Sequence, residues 1–475
     1  MAKANLYDFL AAGFPADRGA PCFLLEDGGA IAYGALEAGA GAMAGHLRRR
    51  GVAAGDRILT QTAKSPEAVM LYLAALKIGA VIAPLNTAYT QSEIEYFIAD
   101  CEPAMVVRDA IAFAREAADA PPVMESAACE PDDVAALVYT SGTTGRSKGA
   151  MLTHGALCAN ARALNQAWGF TRSDTLIHAL PIFHVHGLFV ALHCALANGA
   201  PMLWFAKFDD TAILAAMPRA TIMMGVPTFY TRLLANPHFT QEAARGMRVF
   251  ISGSAPLLPS TFEEFEARTG MRILERYGMS EAAIITTNPL EGPRLAGAVG
   301  FPLPGVALRI AGGEETGTIE IKGPSVFSGY WRNPEKTAES FTADGYFITG
   351  DVGRLDDEGR LWISGRAKDL IISGGYNVYP KEIELVLDEM EGVAESAVIG
   401  APHPDFGEAV VAVVQGAGDE GAMIAAARAR LAAFKAPKRI FFVDELPRNA
   451  MGKVQKNLLR DAYAETFKTA PTGDP

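Results

Sequence analysis

The stretch of this chain that decides its fold runs Tyr139-Thr-Ser-Gly-Thr-Thr-Gly-Arg-Ser-Lys-Gly-Ala-Met-Leu152. It follows an apolar run and precedes a helical pattern that opens near Thr153. Its glycines allow the backbone to turn tightly and to expose its N–H groups. The hydroxyls and two cations, Arg146 and Lys148, add further donors, and such a nest of donors suits a polyphosphate. The frame G-x-x-x-x-G-K-[ST] does not fit here, so this is not a Walker loop.

Apolar runs alternate with helical patterns through most of the chain. Residues 57–61 are predicted to form a strand, and residues 65–78 a helix with Ser65 as its N-cap and proline in its first turn. Thr90, with Glu93 three residues later, predicts a capping box at the start of a second helix. This rhythm is typical of an α/β fold in which helices cover mainly parallel sheets.

The pattern changes towards the C-terminus. After about Gly312 short strands with turn residues predict a small β section, and beyond Arg366 strands and helices predict a compact α+β tail. We therefore predict a large N-terminal domain over residues 1–367, with helix-covered, mainly parallel sheets plus the small β section. A smaller, mobile α+β domain is predicted over residues 368–475.

Composition narrows the possible functions. The net charge is −12, from 42 basic and 54 acidic residues, so we expect neither a nucleic-acid partner nor an anionic membrane partner. The five cysteines show no C-x-x-C spacing, which favours a reducing compartment without a disulfide framework or a zinc site. The N-terminus lacks the apolar core of a signal peptide. We expect a cytoplasmic protein.

The stretch that begins at Tyr139 resembles the phosphate loop of the adenylate-forming superfamily, which includes acyl-CoA synthetases, luciferases and the adenylation domains of peptide synthetases. Further stretches resemble motifs of this superfamily in the same order and span nearly the whole chain. They are residues 180–188, 275–282, 297–305, 345–353, 365–384 and 447–453. The resemblance implies a two-domain enzyme that activates an acid with ATP.

The resemblance also implies which residues bind ATP. Asp351 would accept both ribose hydroxyls, a role that suits a carboxylate because it offers two acceptors. Glu281 would hold Mg²⁺, which prefers one or two carboxylates together with phosphate oxygens. The full implied set is Thr140, Ser141, Gly142, Thr143, Thr144, Gly145, Lys148, Ser254, Tyr277, Gly278, Ser280, Glu281, Asp351 and Arg366.

Lys453 matches the catalytic lysine that reaches the acyl carboxylate and the α-phosphate during adenylation. Such a cation helps because two anions must come within bonding distance, and positive charge stabilises the developing phosphorus centre. Lys456 and Arg460, on the predicted helix that follows, are expected to be surface charges.

A domain rotation is implied as well. Lys368 matches the hinge residue of the superfamily, and a few residues that change their backbone dihedrals suffice for such a rotation. Ser373, Gly374 and Gly375 match the loop that would then enter the active site and line the tunnel for the pantetheine arm of CoA.

Residues 180–188 and 226–232 resemble the malonyl-CoA synthetase branch more than the long-chain or aryl branches. A dicarboxylate needs a cation for its far carboxylate, because an unpaired buried charge is unfavourable by several kcal/mol. Arg232 is our first candidate for this malonate-binding cation and Arg294 the second, since a guanidinium can hold a carboxylate with two bonds. His184 would border the acyl pocket near the attacking carboxylate.

The predicted reaction joins malonate to CoA, with ATP and Mg²⁺, through malonyl-AMP. One alternative is a CoA ligase for another short acid such as methylmalonate, acetate or propionate. Another is an adenylation enzyme that loads a carrier protein, which we disfavour because no carrier-like segment follows Lys453. A luciferase-like oxidation or a degenerate nucleotide-binding protein are more distant alternatives.

Overall fold

The structure is a computed structural model that describes residues 4–140, 147–313, 315–373, 376–404, 406–448 and 453–467. Its α-helices are α1 (Leu6–Ala11), α2 (Tyr33–Arg49), α3 (Pro66–Lys77), α4 (Gln91–Cys101), α5 (Ala110–Ala117), α6 (His154–Trp168), α7 (Leu192–Asn198), α8 (Asp210–Ala216), α9 (Pro227–Ala235), α10 (Pro259–Thr269), α11 (Pro334–Glu339), α12 (Pro380–Asp388), α13 (Glu420–Arg430) and α14 (Lys456–Ala462). A π-helical turn, His186–Ala191, precedes α7.

The strands alternate with these helices over the first part of the chain. They are β1 (Pro21–Leu25), β2 (Ala30–Ala32), β3 (Arg57–Thr60), β4 (Val81–Pro84), β5 (Met105–Val107), β6 (Val134–Thr140), β7 (Lys148–Thr153), β8 (Leu176–His178), β9 (Met202–Trp204), β10 (Ile222–Gly225), β11 (Val249–Ser252), β12 (Leu274–Met279), β13 (Ala283–Thr287), β14 (Ala298–Pro302), β15 (Ala307–Ile310), β16 (Gly317–Lys322), β17 (Phe347–Leu355), β18 (Leu361–Arg366), β19 (Ile371–Ser373), β20 (Tyr376–Val378), β21 (Val393–His403), β22 (Gly407–Gly416) and β23 (Arg439–Val443).

The predicted helix starts are confirmed at α3 and α4. The Ser65 side chain accepts a hydrogen bond from the backbone N–H of Ala68, and proline stands in the first turn of α3. At α4, Thr90 and Glu93 form both bonds of the capping box. These bonds satisfy N–H groups that have no partner within the helix.

The chain forms two compact units. The larger consists of Met1–Leu308, Ile321–Ile348 and Gly359–Leu361, and the smaller of Arg309–Glu320, Thr349–Glu358 and Trp362–Pro475. Because the smaller unit includes two earlier segments, the units are not separated at one point of the chain. The predicted domain boundary between residues 367 and 368 stays a prediction.

The larger unit contains two helix-covered sheets. In the first, the strand order runs β14-β13-β12-β11-β10-β8-β9-β1-β2, and the pairs from β12 through β11, β10, β8 and β9 to β1 are parallel. The second sheet has the order β5-β3-β4-β6-β7, with β3 parallel to β4 and β5, and β6 antiparallel to β7. The predicted α/β class is confirmed. Ligands of such sheets bind beyond the carboxyl ends of the parallel strands.

The smaller unit is α+β, as predicted. Strands β15, β16, β17 and β18 follow one another in that order in a sheet, and the smaller unit contains only the parts of them that lie within Arg309–Glu320, Thr349–Glu358 and the segment from Trp362 onward. A second sheet has the order β20-β19-β22-β21, with β23 parallel to β22. Helices α12 and α13 contribute Ile383, Leu387 and Met423 to a buried core together with strand residues such as Val398 and Val410. Among the described residues, the helices are all too short or too polar to cross a membrane.

Candidate active site

Two tyrosines anchor the ends of the predicted phosphate loop. The Tyr139 hydroxyl, on β6, donates to Asp100 Oδ2 over 2.7 Å, and the Tyr96 hydroxyl donates to the Ser147 carbonyl over 2.7 Å. Strand β6 then pairs with β7 up to the partners Thr140 and Lys148. The predicted phosphate ligands Ser141, Gly142, Thr143, Thr144 and Gly145 lie outside the described residues. The loop therefore starts and ends on a fixed two-stranded stem.

Residues 327–331 link this stem to Glu281. The backbone N–H of Trp331 donates to the Gly149 carbonyl over 2.8 Å, so the segment pairs with β7. At its other end the Phe327 N–H donates to the Glu281 carbonyl over 2.7 Å. The Tyr330 hydroxyl donates to Glu281 Oε1 over 3.0 Å.

Tyr330 therefore stands between two predicted phosphate-site groups. The Lys148 ammonium lies 5.9 Å from the centre of its ring. Burial and the Glu281 carboxylate raise the pKa of Tyr330, so its hydroxyl stays a donor. Sequence reasoning missed this residue, because only the fold brings residues 148, 281 and 330 together.

The chemistry of Glu281 suits a hard divalent cation. The residue is buried, and among the described residues there is no group of three or more His, Cys, Asp or Glu side chains placed to hold a metal ion. A single carboxylate fits Mg²⁺ when nucleotide phosphates supply further oxygen ligands.

Strand β12 carries the other predicted nucleotide-binding residues of the larger unit. Tyr277 and Gly278 are half-buried near its end, and Ser280 follows. A Cβ atom on Gly278 would lie 2.0 Å from the Ala283 carbonyl oxygen, so the hairpin between β12 and β13 requires glycine there. This tight turn brings Glu281 directly after the predicted adenine-binding residues.

One of the two histidines of residues 180–188 contacts the loop that follows β11. His186 is buried at the start of the π-helical turn, and its Nδ1 lies 3.2 Å from Ser254 Oγ. The Ser254 backbone has φ of +73°, which is unusual for a residue other than glycine and is typical of functional sites. His184 Nδ1 accepts from the His186 N–H over 3.3 Å. The predicted acyl-pocket and nucleotide loops are thus joined.

Arg276 is the candidate site residue that sequence reasoning missed most clearly. Its side chain is buried on β12, and among the described residues Nε and Nη2 have no hydrogen-bond partner. A Cβ atom on Gly253 would lie 2.5 Å from Nε, so glycine gives the guanidinium its space. Burial lowers the pKa of Arg276 to about 9, and its charge, together with burial, holds the pKa of His186 well below the usual range.

This environment indicates a site for an anion. An unpaired buried cation is unfavourable, and Arg276 lies beside Gly253 and acts on His186, whose N–H donates to the predicted acyl-pocket residue His184. An arginine directly before Tyr277-Gly278, in an otherwise largely apolar strand, is the signal that could have identified it.

The two arginines proposed from the sequence have different surroundings. Arg232 is exposed on α9. Arg294 donates to the carbonyls of Pro289, Arg272 and Leu290 over 3.0, 2.6 and 2.5 Å, so its guanidinium closes a loop. Neither residue presents a buried cation without partners, and this geometry favours Arg276 over both.

In the smaller unit, the two predicted ribose-binding residues are neighbours. Arg366 Nε lies 2.7 Å from Asp351 Oδ1, and Asp351 is buried whereas Arg366 is partly exposed. The Asp351 N–H also donates to Thr349 Oγ1 over 3.1 Å. Lys368, the predicted hinge, is exposed in a short 3-10 turn that follows β18.

Lys453 is exposed beside a hairpin stem of the smaller unit. Arg448 and Val454 pair as an antiparallel bridge, and the Gln455 N–H donates to the Pro447 carbonyl over 2.8 Å. Ser373 is buried at the end of β19, and Gly374 and Gly375 lie outside the described residues. The predicted roles of Lys453 and of the CoA loop stay predictions.

The fold and these groups define a class of protein: an α/β enzyme with a glycine- and hydroxyl-rich loop on a strand stem, followed by a strand that carries a buried arginine and a carboxylate. The family comparison specifies the class. Residues 10–331 match the AMP-binding enzyme family, and residues 382–453 match the AMP-binding enzyme C-terminal domain. The chain belongs to the AMP-binding enzyme family.

Named relatives and a solved structure are similar to this chain. A malonate–CoA ligase of Arabidopsis thaliana is 40% identical over 69% of this chain and 60% of its own length. A mitochondrial malonate–CoA ligase of Mus musculus is 36% identical over 83% of this chain and 79% of its own length. The crystal structure of ATP-bound MatB from Rhodopseudomonas palustris is 48% identical, has a TM-score of 0.95, and is matched over 98% of this chain and 100% of that chain.

Proposed function

We propose that the chain is a malonate–CoA ligase that converts ATP, malonate and CoA to malonyl-CoA, AMP and diphosphate. The observation that carries this proposal is the buried Arg276 guanidinium beside Gly253 and His186, with two N–H donors unpaired among the described residues. A second carboxylate on the acyl substrate would satisfy those donors with charge-assisted bonds. The two relatives named as malonate–CoA ligases support the same substrate.

In the first step a malonate oxygen attacks the α-phosphorus of ATP, the bond to the bridging oxygen breaks, and diphosphate leaves. The 140–148 loop would hold the leaving phosphates, and Tyr277 and Gly278 would hold the adenine. Glu281 would hold Mg²⁺, which neutralises phosphate charge when bound. Lys453 would lie between the two anions, which repel each other until the new bond forms.

His184 and Arg276 would orient malonate from its two ends. The first would border the carboxylate that attacks, and the second would bind the carboxylate that does not react. Because burial, and then the charge of Arg276, hold the pKa of His186 well below its usual range, that imidazole would be neutral and would add no second cation. Arg276 would then be the positive group that pairs with the carboxylate that does not react.

In the second step the CoA thiolate attacks the acyl carbon of malonyl-AMP and AMP leaves. Asp351 and Arg366 would hold the ribose, and the loop from Ser373 to Gly375 would line the path of the thiol arm. Rotation about Lys368 would withdraw Lys453 and present this loop. The mixed anhydride already carries the activation, so the step uses no protein nucleophile.

A short acid with a different second anion is the alternative that the buried cation also favours. One relative, 34% identical, is a sulfoacetate–CoA ligase of Cupriavidus necator. A sulfonate could also accept two bonds from Arg276. Methylmalonate shares the two carboxylates of malonate and belongs to the same test.

The test is diphosphate release with Mg·ATP across malonate, methylmalonate, sulfoacetate, acetate and propionate, with CoA or a carrier protein as acceptor. We expect malonate with CoA to give the highest kcat/KM, and malonyl-CoA and AMP as products. Equal rates for acetate and malonate would exclude the role of Arg276, and transfer to the carrier protein alone would exclude the CoA ligase.

A further inference from the structure

Helix α14 begins three residues after Lys453 and is held by ion pairs at both of its ends. At the first, Lys456 Nζ lies 2.5 Å from Glu384 Oε1 on α12, with side chains only 18% and 8% exposed. Glu384 Oε1 also accepts from the Val398 N–H over 2.9 Å, which fixes the carboxylate to strand β21. The expectation that Lys456 is a surface charge is wrong, because α14 packs against buried residues of this unit.

The second ion pair reaches the hinge turn. Arg460 Nη2 lies 2.7 Å from Asp369 Oδ1, with side chains 30% and 15% exposed. Asp369 is the last residue of the short turn that contains Lys368. The expectation that Arg460 is a surface charge is therefore also wrong. One short helix connects the residue next to the predicted hinge with the segment that carries the predicted catalytic lysine.

Lys453 itself is held close to this helix. The bridge between Arg448 and Val454 and the bond from Gln455 N–H to the Pro447 carbonyl form a stem directly before α14. Arg448 also forms an ion pair with Glu395 on β21. A displacement of α14 would therefore also displace residue 453.

We propose that the Asp369–Arg460 ion pair is a positioning device, which confines the domain rotation to the backbone of Lys368 and keeps Lys453 at a fixed distance from that pivot. The inference rests on the proposed function, because it assumes that Lys453 and Lys368 act as catalytic lysine and hinge. Without the ion pair, dihedral changes could spread past Asp369. Lys453 would then arrive at variable positions, and a displacement of about 1 Å can lower a rate about 100-fold.

The experiment compares both half-reactions in the full chain. Adenylation is followed by malonate-dependent exchange of diphosphate into ATP, and thioester formation by release of AMP from supplied malonyl-AMP and CoA. Arg460→Ala is expected to lower exchange about tenfold and thioester formation less than about threefold, because Lys453 serves only the first step. Arg439→Ala is the matched control, since it removes the pair with Glu420 in the same unit, 2.8 Å apart, away from the hinge.

Charge-reversal variants distinguish a positioning role of the Asp369–Arg460 ion pair from a general effect on folding. Asp369→Arg and Arg460→Asp should each lower exchange, and the double variant should restore it to within about threefold of the unaltered chain. Equal loss in both half-reactions, no loss, or no recovery in the double variant would overturn the inference. If the unaltered chain shows no malonate-dependent exchange, or if Lys453→Ala retains it, the proposed function itself fails.

Discussion

Replacing Arg276 by methionine is expected to stabilise the unliganded chain and to remove most of its preference for malonate. The side chain is only 5% exposed. Burial lowers its pKa from 12.5 to about 9, which corresponds to an unfavourable free energy on the order of 5 kcal/mol for the charged form. Methionine retains the apolar stem and removes the charge.

The expected effects differ in sign between the unliganded chain and its complex with malonate. Replacing a buried ion pair by apolar side chains of similar volume can stabilise a protein by about 1–4 kcal/mol. A buried charge without a counter-ion is less favourable still, so in the unliganded chain Arg276→Met should raise the free energy of unfolding by an amount in this range. In the complex, the far carboxylate of malonate would lose its charged partner. The value of kcat/KM for malonate should then fall by about 10²–10³, and that for acetate or propionate by less than about tenfold.

The assay combines denaturant unfolding with initial rates of diphosphate release for the three acids. Arg232→Met is the matched control, because Arg232 is exposed and its removal should change neither quantity. Gly253→Ala offers an independent perturbation, since its Cβ atom would lie 2.5 Å from the Arg276 Nε and must displace the guanidinium. It should reduce malonate selectivity while the charge remains.

Two results would refute this reasoning. If Arg276→Met lowers kcat/KM equally for malonate, acetate and propionate, then Arg276 acts on the nucleotide or on the fold rather than on the second carboxylate. If the variant is less stable than the unaltered chain by more than about 1 kcal/mol, then the guanidinium stabilises the fold through a structural partner and is not available to bind the second carboxylate of the substrate.

Three further predictions address the remaining groups. Lys453→Ala should lower malonate-dependent exchange by about 10³-fold but leave thioester formation from malonyl-AMP largely intact, and equal loss in both steps would exclude its role. Tyr330→Phe should weaken Mg²⁺-dependent ATP binding, measured by calorimetry, about tenfold, because Glu281 loses the donor that orients it; an unchanged Mg²⁺ dependence would contradict this. Burial raises the pKa of Glu275 from 4.5 to about 8, so the folded state binds its proton more tightly, and the free energy of unfolding should fall as pH rises from about 4.5 to about 8. Glu275→Gln should flatten that part of the pH profile and raise the Tm above pH 8, whereas an unchanged profile would show that the carboxyl is not protonated in the fold.

Local signals predicted the fold well. The caps of α3 and α4 depend on residues within one turn, so Ser65 and the pair Thr90–Glu93 identify these helices without tertiary contacts. The strand order could not be read from the sequence, because β11 pairs with β12 only after α10 crosses over. The sequence predicts the class of sheet, whereas packing selects the neighbours of each strand.

Candidate site residues could be predicted from the sequence where they stand within a short motif. Glu281 and Lys148 were identified in this way, but Tyr330, which lies against both, was missed because it is distant in sequence. Arg276 was missed for a different reason. Its significance lies in two buried guanidinium nitrogens that have no hydrogen-bond partner among the described residues, and burial without such partners is a property of the fold rather than of a motif.

The same property explains how an acidic chain can select a dianion. With a net charge of −12, the protein repels malonate at long range, so selection depends on a cation inside the pocket. A buried guanidinium provides the largest difference between mono- and dicarboxylates when the fold supplies no competing acceptor. The buried charge of Arg276 then both lowers the stability of the unliganded chain and produces the preference for malonate. A variant that gives Arg276 a carboxylate neighbour should therefore raise the free energy of unfolding and abolish the preference for malonate. Gly253→Asp would bring a Cβ atom within 2.5 Å of Nε as well, so its carboxylate would pair with a displaced guanidinium. Loss of the discrimination between malonate and acetate is therefore the expected result at this position, measured by diphosphate release with each acid.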